Sequence, residues 1–328
     1  MMIPVTEHSV SRYLGLIWIA STLLACQSDD LDTVNPDTTL FDEQQQTIDQ
    51  YLSERSISTQ QNEAGIHYQV VTQNDSGAMA EPGLIAMLYY RIEQLEGGTI
   101  AVHEESSGLP PNPYIIDDRF LLAPRGLNEV LTLMREGEEY EFYLPSRWAY
   151  LDYNQPGVIP ANAIVRARIK LAGLLTPNEQ RHIEDQHIER YLADNQLDEA
   201  DSLASGVYYI QQQAGDTTKA VSGNSTVAVR YTGSLLDGTI FDSNADAEEP
   251  LTFTVNGASL IEGFLAGVQQ MSEGEQGTVI IPSHAAYGPG AVAIPYNIVN
   301  DWLEQGATAQ SIPPFAILRF DLEVVAVN

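Results

Sequence analysis

Few residues in this 328-residue chain have the type and setting for chemistry. Asp242 follows directly on Phe241, a residue of core type, and Tyr287 stands in a loop rich in Gly and Pro. Neither has an evident packing reason. Other chemistries are poorly provided for. His182 and His187 lie five apart on a predicted helix, so they do not share a face as partners four apart would. No zinc site is expected from them. Neither a Gly-rich phosphate loop nor a Ser/His/Asp signature occurs. Cys26 is the only cysteine, which excludes an internal disulfide. No metal site or phosphate loop is expected from these signals, and no cofactor is called for.

The elements that must position Asp242 and Tyr287 occur twice. Ile48, Tyr51 and Leu52 recur as Ile188, Tyr191 and Leu192, at an offset of 140. Gly65-Ile66-His67-Tyr68 recurs as Gly206-Val207-Tyr208-Tyr209, at 141. Met134, Pro145, Ser146 and Tyr150 match Met271, Pro282, Ser283 and Tyr287, at 137, and Ile159-Pro160 matches Ile312-Pro313, at 153. The jump places a 16-residue insertion in the second copy, between Tyr287 and Ile312. Two copies of one domain are expected, over 41–175 and 176–328. Each opens with a polar helix carrying one narrow apolar stripe. Alternating runs at Val227–Tyr231 and Phe315–Val324 predict strands, and apolar residues at 260, 261, 264, 265, 268 and 271 predict one helix between them. The pattern is α+β, a sheet with a short helix packed on it.

Composition narrows the partners. Hydrophobic residues make up 44% and charged residues 18%, an ordinary globular balance. Fifteen Lys and Arg against 45 Asp and Glu give a net charge of −30, which would be repelled by phosphate backbones, so no nucleic acid is expected. Anionic lipid would repel it too, so membrane attachment must be covalent or through a span. The apolar run Tyr13–Ala25 has 13 residues, short of the ~20 a span needs. It reads as the core of a secretion signal. Its end, Leu23-Leu24-Ala25-Cys26, resembles a bacterial lipoprotein signal, which implies cleavage after residue 25 and acylation of Cys26. Residues 26–40 then read as a flexible tether. Gln27 rather than Asp after the cysteine implies, by that resemblance, the outer membrane facing the periplasm. The run Gln27-Ser28-Asp29-Asp30 also resembles a surface-export signal, which leaves surface display open.

Several segments of the second copy resemble one family. They are Val229 to Ser243 (VRYTGSLLDGTIFDS), Pro250 to Phe253, Leu260-Ile261-Glu262-Gly263-Phe264, Gly267 to Gly274, Ala286-Tyr287-Gly288, and Ile312-Pro313-Pro314 followed by Phe320-Asp321. Together they resemble an FKBP-type peptidyl-prolyl cis-trans isomerase domain over 223–327. The resemblance implies a twisted antiparallel sheet wrapped around one helix, and proline-containing polypeptide clients. The chemistry it implies is rotation about an X–Pro amide, whose barrier is ~18–20 kcal/mol. Water stabilises the charge-separated planar amide more than the twisted one, so an apolar pocket that strips water favours the twisted state. No nucleophile, metal or proton relay is required.

By the same resemblance Tyr231, Phe241, Asp242, Ile261, Phe264 and Tyr287 form the catalytic set, with Leu251, Phe253, Leu260, Ile312 and Phe320 completing the substrate lining. Tyr287 would donate its hydroxyl to a substrate carbonyl, and the Ile261 N–H would hold another. Asp242 would face the amide carbon or orient Tyr231. Three positions depart from the family pattern: Phe264 replaces a frequent Trp, Ala247 a frequent Arg, and Leu251 a frequent aromatic.

In the first copy, Ala101 and Val102 are expected at the places of Phe241 and Asp242, Arg91 at Tyr231, Pro124 at Ile261 and Leu127 at Phe264, leaving Tyr150 and Ile159 of the lining. This copy is expected to keep the fold and lack activity. The insertion is expected to form a short amphipathic helix through Ile298, Val299, Trp302 and Leu303, which either caps its own domain or reaches over the pocket mouth. Two other readings of the whole stay open: a non-catalytic holdase, or a docking subunit of an envelope complex.

Overall fold

The computed structural model describes residues 38–197, 199–290, 292–295, 298 and 312–328. The signal-like run and Cys26 lie outside them, as do Val299, Trp302 and Leu303 of the expected amphipathic helix. The chain folds as α+β, with two seven-stranded sheets of the same design. In the first, the path runs Gln60–Gln61, His67–Thr72, Glu139–Leu144, Val165–Leu175, Ile85–Gln94, Thr99–His103, and Asn112–Ile115 also pairs with Ile85–Gln94. In the second it runs Asp201–Ser202, Tyr208–Gln213, Gln276–Ile281, Leu318–Val327, Thr226–Leu235, Ile240–Ser243, with Leu251–Thr254 also on Thr226–Leu235. Strand pairing within both sheets is antiparallel. Each long central strand carries the same irregularity, between Met87 and Leu88 and between Ala228 and Val229.

Helices α1 (Thr38–Glu54) and α3 (Pro177–Asp194) lead into the two sheets. Helix α1 begins three residues inside the expected tether. Thr176 and Glu179 form a reciprocal capping box at the start of α3, with Pro177 at its first position. The apolar stripes pack as expected: Ile48, Tyr51 and Leu52 are buried, as are Ile188 and Leu192, while Tyr191 is half-buried and takes a hydrogen bond from Arg319. Each sheet also holds one short helix, α2 (Leu127–Leu131) and α4 (Glu262–Val268).

Helix α4 is shorter than its apolar period suggests, because Ile261 is extended (φ −61°, ψ 143°) and ends the preceding loop. A β-carbon on Gly263 would lie 2.2 Å from Ile281 Cγ2, and one on Gly267 would lie 2.4 Å from Val279 Cγ2. Those two glycines let α4 lie directly on the strand Gln276–Ile281. The last strand starts at Leu318, three residues later than the alternation implies, because Phe315 has φ 57° and donates its N–H to Gly288 O at 2.8 Å. The Ala123–Pro124 and Ile294–Pro295 peptide bonds are cis.

Candidate active site

One face of the second sheet presents a box of rings. Phe264 projects from α4 and meets Phe320 edge-on at 5.2 Å and Tyr231 at 5.7 Å. Phe241 meets Phe320 edge-on at 5.6 Å, and Phe253 lies 6.2 Å from Phe264. Edge-to-face contacts of this kind contribute ~0.5–1.5 kcal/mol each beyond the area buried. They hold the rings at fixed angles to one another. Phe264, Phe320 and Ile312 are buried as the floor, while Tyr231, Phe241, Phe253, Leu260, Ile261 and Tyr287 are half-buried around them in one apolar cluster. Leu251 is half-buried at the outer end of the same strand as Phe253. The structure therefore brings the expected lining together on one face, with Leu251 at its margin.

Gly233 makes the box possible. Its missing side chain leaves room for Phe241 and Phe320, whose ring atoms would lie 2.8 Å from a β-carbon there. That role was not visible in the sequence, where Gly233 read only as part of a motif.

The polar groups sit at the rim. Tyr231 donates its hydroxyl to Asp242 Oδ2 at 2.7 Å. Partial burial, with the hydrogen bond and charge of Asp242, pushes the Tyr231 hydroxyl up to about 12, and it stays a proton donor at neutral pH. The loop after Asp242 is fixed from the other face of the strand. Arg230 donates to the carbonyls of Asn244 (3.2 Å), Ala245 (3.3 Å) and Ala247 (2.9 Å), and Asn244 bonds both Tyr231 N–H and Val229 O. Arg230 thus provides a cation near the loop that has Ala247 where the family often has Arg.

Tyr287 is carried by the turn that begins Pro282-Ser283. That turn is anchored by Glu184 of α3, which is 2% exposed. Glu184 accepts from Ser283 N–H at 2.8 Å, Ser283 hydroxyl at 2.7 Å and Gln180 Nε2 at 2.9 Å. The first copy repeats the clamp with a neutral side chain. Gln44 accepts from Ser146 N–H at 2.8 Å and Ser146 hydroxyl at 3.1 Å, and donates to Asn162 O. Sequence reasoning took both helices as apolar stripes and missed these buried polar residues. Their shared offset of 140 from Gln44 to Glu184 was the signal available.

Strand register corrects the expected pairing of the copies. Phe142 faces Ala167, which faces Ile92, and Val279 faces Phe320, which faces Gly233. Ile92 therefore replaces Gly233, and Tyr90, not Arg91, replaces Tyr231. Likewise Ile100 replaces Phe241 and Ala101 replaces Asp242. The expected match was one residue out, because the hairpin loops hide the register that the neighbouring strands fix. Tyr114 stands for Phe253. The first pocket thus keeps Tyr90, Tyr114, Tyr150 and Ile159, but it loses the acid and three rings: Leu127 stands for Phe264, and Ile100 and Ala167 stand for Phe241 and Phe320. Ile92 occupies the space the last two rings would need, and Arg91 turns to Glu104 at 2.7 Å.

Residues 217–325 match the family model for FKBP-type peptidyl-prolyl cis-trans isomerase. Peptidyl-prolyl cis-trans isomerase Fkbp12 of Drosophila melanogaster is 32% identical over 127 residues, 38% of this chain and 99% of that protein. The chain belongs to the FKBP-type peptidyl-prolyl cis-trans isomerase family. The family match falls on the second copy, where the ring box lies. The chain is also similar to FKBP-type peptidyl-prolyl cis-trans isomerase FkpA of Aeromonas hydrophila, at 39% identity over 141 residues, 43% of this chain and 45% of that one. It is 44% identical over 94 residues to Outer membrane protein MIP of Legionella longbeachae, 28% of this chain and 39% of that one. The chain thus spans less than half the length of these last two relatives.

Proposed function

We propose that the chain is a peptidyl-prolyl cis-trans isomerase that works through the second pocket, in the second of two tandem domains at 41–175 and 176–328. The ring box with Asp242, Tyr231 and Tyr287 at its rim carries this reading. An X–Pro amide entering between Tyr231, Phe264 and Phe320 leaves water for an apolar wall, which disfavours the planar, charge-separated form. Tyr287 donates to the carbonyl of the residue before proline, and the Ile261 N–H holds a second carbonyl. The first copy supports this role for Tyr287, since its counterpart Tyr150 donates to the carbonyl of Ile294, the residue before Pro295, at 2.5 Å. The Tyr231–Asp242 pair keeps the pocket wall in place rather than moving a proton.

The test is acceleration of cis–trans exchange in a short X–Pro peptide by the full chain. Asp242→Ala and Tyr287→Phe should each lower kcat/KM by about tenfold, equivalent to ~1.4 kcal/mol. Wild-type rates in both variants would remove these residues from the mechanism.

The clients are exported or envelope proteins, and the chain is held to a membrane by lipid on Cys26, in the outer membrane facing the periplasm. The sole cysteine at the end of an apolar run supports this reading. Two or more acyl chains at ~0.8 kcal/mol per buried CH₂ would anchor it stably. Cys26→Ser should move the protein from the membrane to the soluble fraction on cell fractionation. A variant that remains in the membrane pellet contradicts lipid anchoring.

A further inference from the structure

Residues 292–294 and 298 of the insertion cross to the first copy. Val292–Ala293 pairs in parallel with Leu121–Ala123, and Ile294 donates its N–H to Ala123 O at 2.9 Å. Tyr150 returns its hydroxyl to Ile294 O, so both backbone polar groups of Ile294 are bonded to the first copy. The pairing stops where Pro124 and Pro295 follow, and neither proline has an N–H to leave unmet. Ile294 is 7% exposed and Ile298 0%, and both belong to the same buried cluster as Tyr114, Leu127, Tyr150 and Ile159. A cavity of about 200 Å³ remains beside Ile294, bounded by Tyr90, Tyr114 and the Pro313-Pro314 pair of the second copy.

We propose that the first pocket is a binding site for an apolar residue followed by proline, and that its resident ligand is the chain's own Ile294–Pro295. The second copy delivers that segment from between Tyr287 and Ile312, two residues of its own pocket. The first pocket is thereby closed to outside chains. An internal ligand on a short connection acts at an effective concentration of about millimolar, so a free peptide of modest affinity does not displace it. The contact also ties the rim of the second pocket to the first copy.

The test reads binding alone and is independent of turnover by the second pocket. The probe is a fluorescein-labelled Gly-Val-Ala-Ile-Pro-Gly peptide. The parent is the full chain carrying Asp242→Ala and Tyr287→Phe, which weakens the second site. Adding Ile294→Asp should empty the first pocket and tighten peptide binding by about tenfold or more, as expected when a millimolar internal competitor is removed. Adding Tyr150→Phe as well should reverse most of the gain. A chain with Ile294→Asp that keeps its circular dichroism spectrum and binds no tighter than its parent overturns the proposal. So does a gain that Tyr150→Phe leaves untouched. Should Ile294→Asp not fold, hydrogen exchange at Val292, Ala293 and Ile294 decides. Tyr150→Phe alone should speed that exchange several-fold, and an unchanged rate overturns the proposal.

Discussion

Gly233→Ile is expected to abolish prolyl isomerisation while the second sheet still forms. A β-carbon at this position would lie 2.8 Å from Phe241 Cε2 and Cζ and from Phe320 Cε1, so both rings must leave their places. The branched side chain would then occupy the pocket itself. The first copy shows that the strand accepts the residue: Ile92 holds this register fully buried, with Ile100 and Ala167 where the second copy has its rings. Overpacking should cost about 1–3 kcal/mol of stability. The loss of kcat/KM should be at least about 100-fold, or ~2.7 kcal/mol of transition-state stabilisation. Peptide assays run beside thermal melts separate the two effects. A folded variant within threefold of wild type would mean that the ring box is not where prolines turn.

Glu184→Ala should be the most damaging change away from the pocket. It leaves the Ser283 N–H, the Ser283 hydroxyl and the Gln180 amide without their shared acceptor in a site 2% exposed. Each buried group left unpaired costs roughly 1–3 kcal/mol, and partial relaxation brings the total to about 2–4 kcal/mol. Because Ser283 opens the turn that carries Tyr287, KM for peptide should rise as well. Glu184→Gln copies the first copy's Gln44, whose single amide oxygen accepts from both Ser146 groups, and it should stay within ~1 kcal/mol of wild type. Urea melts of the three chains check the ordering. Equal stability of the Ala and Gln variants would contradict the clamp.

The repeat and the α+β class were legible because offsets and alternation survive divergence. Phe264, Phe320 and Tyr231 could be placed in one pocket because the segments that carry them resemble the FKBP-type family. Three features were not legible. The register that sets Tyr90 against Tyr231 depends on pairing with Val165–Leu175 and Leu318–Val327, strands distant in sequence. The space at Gly233 depends on rings brought in from Phe241 and Phe320. The destination of Ile294 is a surface on the other copy, which local amphipathicity cannot specify.

The most direct measurement is hydrogen exchange of the full chain with and without a saturating X–Pro peptide. The account predicts added protection in the strand Thr226–Leu235 and around Ile261, with none in the strand Ile85–Gln94, whose pocket already holds Ile294. Protection in Ile85–Gln94, or a peptide that is isomerised without protecting the second pocket, would contradict it.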